Sequence, residues 1–140
     1  MKEVGVWCYY STEKEKFLKP DKCGKWMIFF SEEDFAKKIC SMAVEEKVCY
    51  ACKCSNLSLT KEKTGVICFY INYDDIEYQS RIINFMLNNN LIQRTKEGKL
   101  YNLSFKFDTQ TINGEYGENF TGRIKLDNFI DLDTGRWKTI

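Results

Sequence analysis

The amino-acid sequence predicts one α+β domain over residues 1–140, with antiparallel strands in a sheet and two main helices on one of its faces. Three observations predict it. Runs of β-branched and aromatic residues alternate with two segments of helical apolar spacing, giving strand–helix–strand twice. A single proline, Pro20, and the lack of any low-complexity tract leave no linker at which to divide the chain. A length of 140 residues is enough to bury a core without disulfide or metal staples.

The elements follow in order. Val4 to Tyr10 reads as a first strand, and the polar, lysine-rich stretch from Ser11 to Cys23 as a loop. Gly24 to Phe30 (Gly-Lys-Trp-Met-Ile-Phe-Phe) is the most apolar run of the first half and reads as a central strand. It feeds a helix directly. Ser31 offers an N-cap, acids fill the first turn, and Phe35, Ile39, Met42 and Ala43 recur at helical spacing up to about Lys47. Val48 to Ser55 is a strand, Asn56 to Thr64 a loop, and Val66 to Ile71 a buried strand. Asp74 or Asp75 caps a second helix whose apolar face is Ile76, Ile82, Ile83, Met86 and Leu87, and Asn88-Asn89-Asn90 suits its exit because Asn tolerates the left-handed conformation. Gly98 marks a turn. Leu100 to Phe107 alternates Leu103, Phe105 and Phe107 against Asn102, Ser104 and Lys106, as a half-exposed antiparallel strand does. The last third is punctuated by Gly114, Gly117, Gly122 and Gly135. It predicts a short strand around Gly122 to Leu126 and an ending built on Phe129, Ile130, Leu132 and Trp137.

Composition excludes several classes of function. Twenty-one basic and twenty acidic side chains nearly cancel, so the excess expected of a strong non-specific nucleic-acid binder is missing. No run approaches the ~18 apolar residues of a membrane span, and Met1-Lys2-Glu3-Val4 does not open a signal peptide. Seven cysteines, an odd number, fit free thiols in a cytoplasmic protein. With no histidine there is no His-Ser or His-Cys pair, and acid–base work falls to Asp, Glu, Lys, Tyr or Cys.

Four constellations carry chemistry worth weighing. Cys49, Cys52 and Cys54 supply half of a zinc pattern without a second half, and small buried hydrophobes explain them better. Asp131-x-Asp133-x-Gly135 starts like a calcium loop but lacks the third oxygen ligand and the closing glutamate. Gly114-Glu115-Tyr116-Gly117 lacks the Lys-Ser/Thr ending of a phosphate loop. Lys53, Lys106 and Asp108 lie on or beside strands. If two of these lysines fall on adjacent strands near Tyr and Trp, they form a cationic, aromatic pocket for a flat anionic ligand. Trp7 and Trp26, at strand ends, are the stacking candidates.

Several motifs resemble the family of unknown function typified by the basophilic-leukaemia-expressed protein. They are Trp7 followed by Gly24-Lys25-Trp26-Met27-Ile28-Phe29, Lys53 within Ala51-Cys52-Lys53-Cys54-Ser55, Val66 to Tyr70 with the helix begun at Asp74-Asp75, and the segment from Lys106 to Tyr116. The resemblance runs from residue 4 to about 117. It implies a fold like the cap-binding translation initiation factor, a curved antiparallel sheet backed by helices. A phosphothreonine-lyase activity, the label sometimes given to that family, needs a histidine acid, which this chain lacks.

The expectation is a small non-catalytic binding protein taking a nucleotide-like or phosphorylated small molecule on the open sheet face, with no cofactor and no metal. Lys53 and Lys106 neutralise phosphate, with Lys25-Trp26 at the mouth of the strand. Trp26, Trp7 or Tyr70 stacks, and Asp108, Thr111 and Tyr116 orient polar edges. The alternative is a protein-interaction module, such as an inhibitor of a host protein encoded by a phage or other mobile element. A lysine-based lyase or phosphoesterase ranks third.

Overall fold

The computed structural model describes residues 1–108 and 124–138. Among them, seven strands form one curved antiparallel sheet: β1 (Lys2–Val4), β2 (Trp7–Ser11), β3 (Cys23–Phe30), β4 (Ala51–Ser55), β5 (Gly65–Asn72), β6 (Ser104–Phe107) and β7 (Ile124–Lys125). Their spatial order is β1-β2-β4-β5-β3-β6-β7. The helices are α1 (Glu33–Glu45), α2 (Leu57–Thr60, a single turn) and α3 (Ile76–Asn88). The α+β class with two main helices is thus as the sequence predicts. No helix among the described residues is long and apolar enough to cross a membrane.

β3 and β5 form the sheet's centre, paired over eight residues each from Cys23↔Asn72 to Phe30↔Gly65. Strand alternation sends successive side chains to opposite faces. One set, Cys8, Tyr10, Trp26, Ile28, Phe30, Cys52, Cys54, Ile67, Phe69, Ile71 and Phe105, forms the main core with the buried faces of α1 (Ala36, Ile39, Cys40, Ala43) and α3 (Tyr78, Ile82, Ile83, Phe85, Met86). Both long helices therefore back the same face. On the other face a smaller cluster, Cys23, Ala51, Cys68 and Tyr70, is flanked by Tyr9, Leu18, Met27 and Val66.

The helix ends show what the local sequence controls. Asp75 caps α3 by accepting from the Tyr78 N–H at 3.1 Å, and its other carboxylate oxygen accepts the Tyr50 hydroxyl. Both long helices close with a left-handed residue, Lys47 (φ 56°) and Asn90 (φ 56°). The next N–H reaches back five residues in each case, Val48 to the Ala43 carbonyl at 3.0 Å and Leu91 to that of Met86 at 2.9 Å.

Several expectations are corrected. Gly5, at φ 59°, breaks the first strand into the β1–β2 hairpin, because a left-handed turn residue cannot continue a strand. The loop after β2 opens with a 3-10 turn over Glu13–Phe17, capped by the Thr12 hydroxyl, which accepts from the Lys14 N–H. Asn56 to Thr64 contains the α2 turn. The N-cap of α1 is Glu32 and not Ser31, and no side chain caps it. Phe35 and Ile76, in the first turns of α1 and α3, stand exposed, while Ala36, Cys40 and Tyr78 take the inward positions. β6 is not half-exposed: Phe105 is buried on one face and Lys106 on the other. Gly114, Gly117 and Gly122 lie outside the described residues. Asp131 caps its own turn, its Oδ1 accepting the N–H groups of Asp133 at 2.8 Å and Thr134 at 3.2 Å, which accounts for the Asp-x-Asp-x-Gly pattern without a cation.

Candidate functional site

The sheet face turned away from the helices gathers the lysines. Odd-numbered positions of β3 place Cys23, Lys25, Met27 and Phe29 there, and the paired register brings Tyr70 of β5 opposite Lys25 and Cys68 opposite Met27. β4 adds Lys53 opposite Cys68, and β2 adds Tyr9 opposite Lys53. On the far side of β3, Lys106 of β6 pairs with Lys25. Lys53 and Lys106 are therefore not neighbours; β5 and β3 lie between their strands. The adjacent pair is Lys25 and Lys106.

Tyr70 is the hub. Its ring is 7% exposed, with the Lys25 ammonium 5.5 Å from its centroid and the Lys53 ammonium 5.7 Å from it. The Lys53 ammonium also lies 3.9 Å from the centroid of the Trp7 ring. Such contacts partly compensate a cation that has left water, through the negative face of the ring. Lys25 and Lys106 are only 8% and 9% exposed, an unusual placement for lysine. Burial, and then the like charge of Lys25, lower the pKa of both Lys53 and Lys106 from the ordinary lysine value.

One carboxylate reaches this group among the described residues. Asp108, just past the end of β6, puts Oδ1 3.5 Å from the Lys25 ammonium, while its Oδ2 accepts the Cys23 thiol at 3.4 Å. Burial first, and then Asp108, push the Cys23 thiol up to about 12, so it stays protonated as the donor. Burial raises the Tyr70 hydroxyl and the Cys68 thiol as well, and pushes the Tyr9 hydroxyl up to about 12. Among the described residues the floor of the face is thus neutral, and its charge resides on the lysines and Asp108.

Trp26 does not belong here. As the neighbour of Lys25 in a strand it must face the other way. It is fully buried against Phe105 and Phe129, and its indole N–H donates to Gln79 Oε1 at 2.8 Å. The structure thus brings together Lys25, Lys53, Tyr70, Lys106, Asp108 and Trp7, and separates Trp26 from them. Thr111 and Tyr116 lie outside the described residues. Sequence reasoning missed Cys23 and Tyr9. Their signal was available in the alternation: Cys23 shares parity with Lys25, and Tyr9 with Trp7.

Other cysteines offer no second centre. All seven are free and buried, and no group of three or more Cys, Asp or Glu among the described residues is placed to hold a metal ion. An apolar cavity of about 330 Å³ opens beside the Phe29 end of β3, lined by Ile28, Phe29, Leu91, Ile92, Tyr101 and Leu103. Phe29 itself is 65% exposed. Compared with family models and with curated proteins, the chain matches none.

Proposed function

We propose that this chain is a small non-catalytic binding protein that takes a phosphorylated, nucleotide-like ligand on the sheet face opposite the helices. One observation carries the reading: the Lys25 and Lys53 ammoniums flank a single buried Tyr70 ring, and no carboxylate among the described residues lies within ion-pair distance of Lys53. Among the described residues only rings hold the half-buried Lys53 ammonium, which has lost water without gaining an anion, and a phosphate oxygen would complete it through a short charge-assisted hydrogen bond. Lys25 and Lys106, side by side, add positive potential next to it. Trp7 supplies the aromatic surface at the edge of the face, exposed to a base once the Lys53 ammonium turns from indole to phosphate.

The test is calorimetry and thermal shift against a panel of nucleotides and cyclic nucleotides. A ligand at about 100 times its Kd stabilises the fold by roughly 2.7 kcal/mol, a shift of several degrees. Lys53→Gln should weaken binding on the order of tenfold or more, since a close charge pair in a partly dry site is worth more than one at an exposed rim. Equal binding by Lys53→Gln and the parent overturns the site.

A second reading has its own observation. The exposed Phe29 and the apolar cavity beside it suit a protein partner, as the interaction-module alternative requires. Absence of any nucleotide-induced shift, together with a stable complex abolished by Phe29→Lys, favours that reading over the first.

A further inference from the structure

We infer that Asp108 is the site's built-in counter-ion: it competes with an anionic ligand for the Lys25 ammonium, so that a ligand gains only if it also reaches Lys53. The inference rests on the anion-binding reading above and specifies what an anion must displace there. That is the opposite of the task the sequence suggests for Asp108, orienting a polar edge of the ligand.

The geometry of Asp108 separates the two roles. Its Oδ1 is buried, faces Lys25 at 3.5 Å and makes no hydrogen bond. Among the described residues its Oδ2 is held only by the Cys23 thiol at 3.4 Å, a weak donor. A carboxylate built to position a ligand is normally fixed by backbone or charged donors. Here charge is compensated while hydrogen-bonding capacity is left unmet. A phosphate oxygen at Lys25 would make the short bond that Asp108 does not, and would meet the Asp108 charge a few ångströms away. A monoanion gains little from that exchange. A dianion or diphosphate, reaching Lys25 and Lys53 across Tyr70, gains at two ammoniums and is repelled at one carboxylate. Cys23 and Lys25 occupy alternate positions of β3 on this face, so one short segment of strand holds both of Asp108's contacts. Asp108 follows two residues after Lys106 and is tied to the lysine pair by the β3–β6 register.

The experiment is calorimetry with inorganic pyrophosphate at low ionic strength, on the parent, Asp108→Asn, Asp108→Glu and Lys53→Gln. Removing a like charge close to the bound anion should tighten pyrophosphate binding by Asp108→Asn on the order of tenfold. Asp108→Glu, which keeps the charge, should bind within about twofold of the parent, and Lys53→Gln should bind more weakly. Asp108→Ser carries the same expectation as the asparagine variant and serves if the latter fails to fold. If the parent binds pyrophosphate and the neutral variants bind it equally or more weakly, the counter-ion role is overturned and the anion site stands. If neither the parent nor the neutral variants bind it, both readings fall.

Discussion

Gly24→Ala tests the packing that holds the site's two halves together. Gly24 lies within β3, and a Cβ built there falls 2.3 Å from Phe105 Cε1, 2.7 Å from Cζ and 2.9 Å from the backbone carbonyl oxygen of Lys106. Against ordinary contact at 3.4–4 Å, the ring alone falls short by at least 1.1 Å. Phe105 cannot retreat freely. It is fully buried, with Trp26 at 5.6 Å and Phe107 at 5.4 Å between ring centroids. Nor can the Lys106 carbonyl move without shifting β6. Overpacking of this kind costs about 1–3 kcal/mol, and the clash with backbone argues for the upper part of that range. For a chain of this size that is a fall in Tm of about 5–10 °C. The assay is reversible thermal or urea unfolding followed by circular dichroism, repeated with Phe105→Leu and with the double variant. Shortening the ring should relieve the clash, so the double variant should be more stable than the sum of the single effects by about 1 kcal/mol or more. A Gly24→Ala protein melting within about 2 °C of the parent, or an additive cycle, refutes the seating of Phe105 over Gly24.

The remaining predictions address the core, the thiols and the tyrosines. Trp26→Phe should lose about 2–4 kcal/mol in denaturant unfolding, because it removes a buried hydrogen bond and strands the oxygen of Gln79, while pyrophosphate affinity is unchanged. Asp75→Ala should cost about 1–2 kcal/mol in the same assay, through loss of the α3 cap and of the Tyr50 hydroxyl's acceptor. A thiol reagent at neutral pH should react slowly with all seven buried cysteines and rapidly with seven after unfolding; one fast thiol in the native protein contradicts the core described here. Tyr9, pushed up to about 12 from an ordinary 10, contributes stability that is complete below pH 10 and is lost as pH rises toward 12, because the unfolded chain ionises first. Tyr10, Tyr50 and Tyr70 are raised in the same direction, chiefly by burial. Absorbance near 295 nm should therefore show part of the tyrosine ionisation arriving only with alkaline unfolding.

Much of the fold was legible because period and punctuation agreed. Val66 to Ile71 is apolar throughout and proved to be a central strand buried on both faces, which a continuous run signals better than alternation does. Asp75 and Asn90 were readable as helix start and stop because a carboxylate cap and a left-handed asparagine are local chemistry. Elsewhere tertiary context decided. Phe35 and Ile76 fit the helical period, yet both stand exposed, and Ala36 and Tyr78, one and two positions on, took the buried places. The β1–β2 hairpin was hidden because Val-Gly-Val looks like strand, and only the backbone angle at Gly5 marks the turn. Alternation puts Lys106 on the half-exposed side of its strand, but it gives parity and not what covers each side, and Lys106 is buried.

The site was half-legible for the same reason. Parity alone groups Lys25 with Cys23 and Met27 and excludes Trp26, and that inference was open to the sequence. Which lysines meet depends on strand order, and strand order is set by connections between non-consecutive strands. β3 pairs with β5 and with β6, so the two residues that flank Lys25, Tyr70 and Lys106, are 45 and 81 positions away in the chain. The β3–β6 ladder holds only two registered pairs, Gly24↔Phe107 and Lys25↔Lys106. A side chain at Gly24 that forces the strands apart must therefore carry Lys106 and Asp108 away from Lys25. With Asp108 as the counter-ion, Gly24→Ala should then lower stability while lifting part of the repulsion that doubly charged ligands meet. The ratio of pyrophosphate to monoanionic phosphate-diester affinity should rise in that variant, because repulsion by the carboxylate scales with ligand charge, and a ratio that holds while the protein is measurably destabilised would separate the packing of Phe105 from the electrostatics of Lys25.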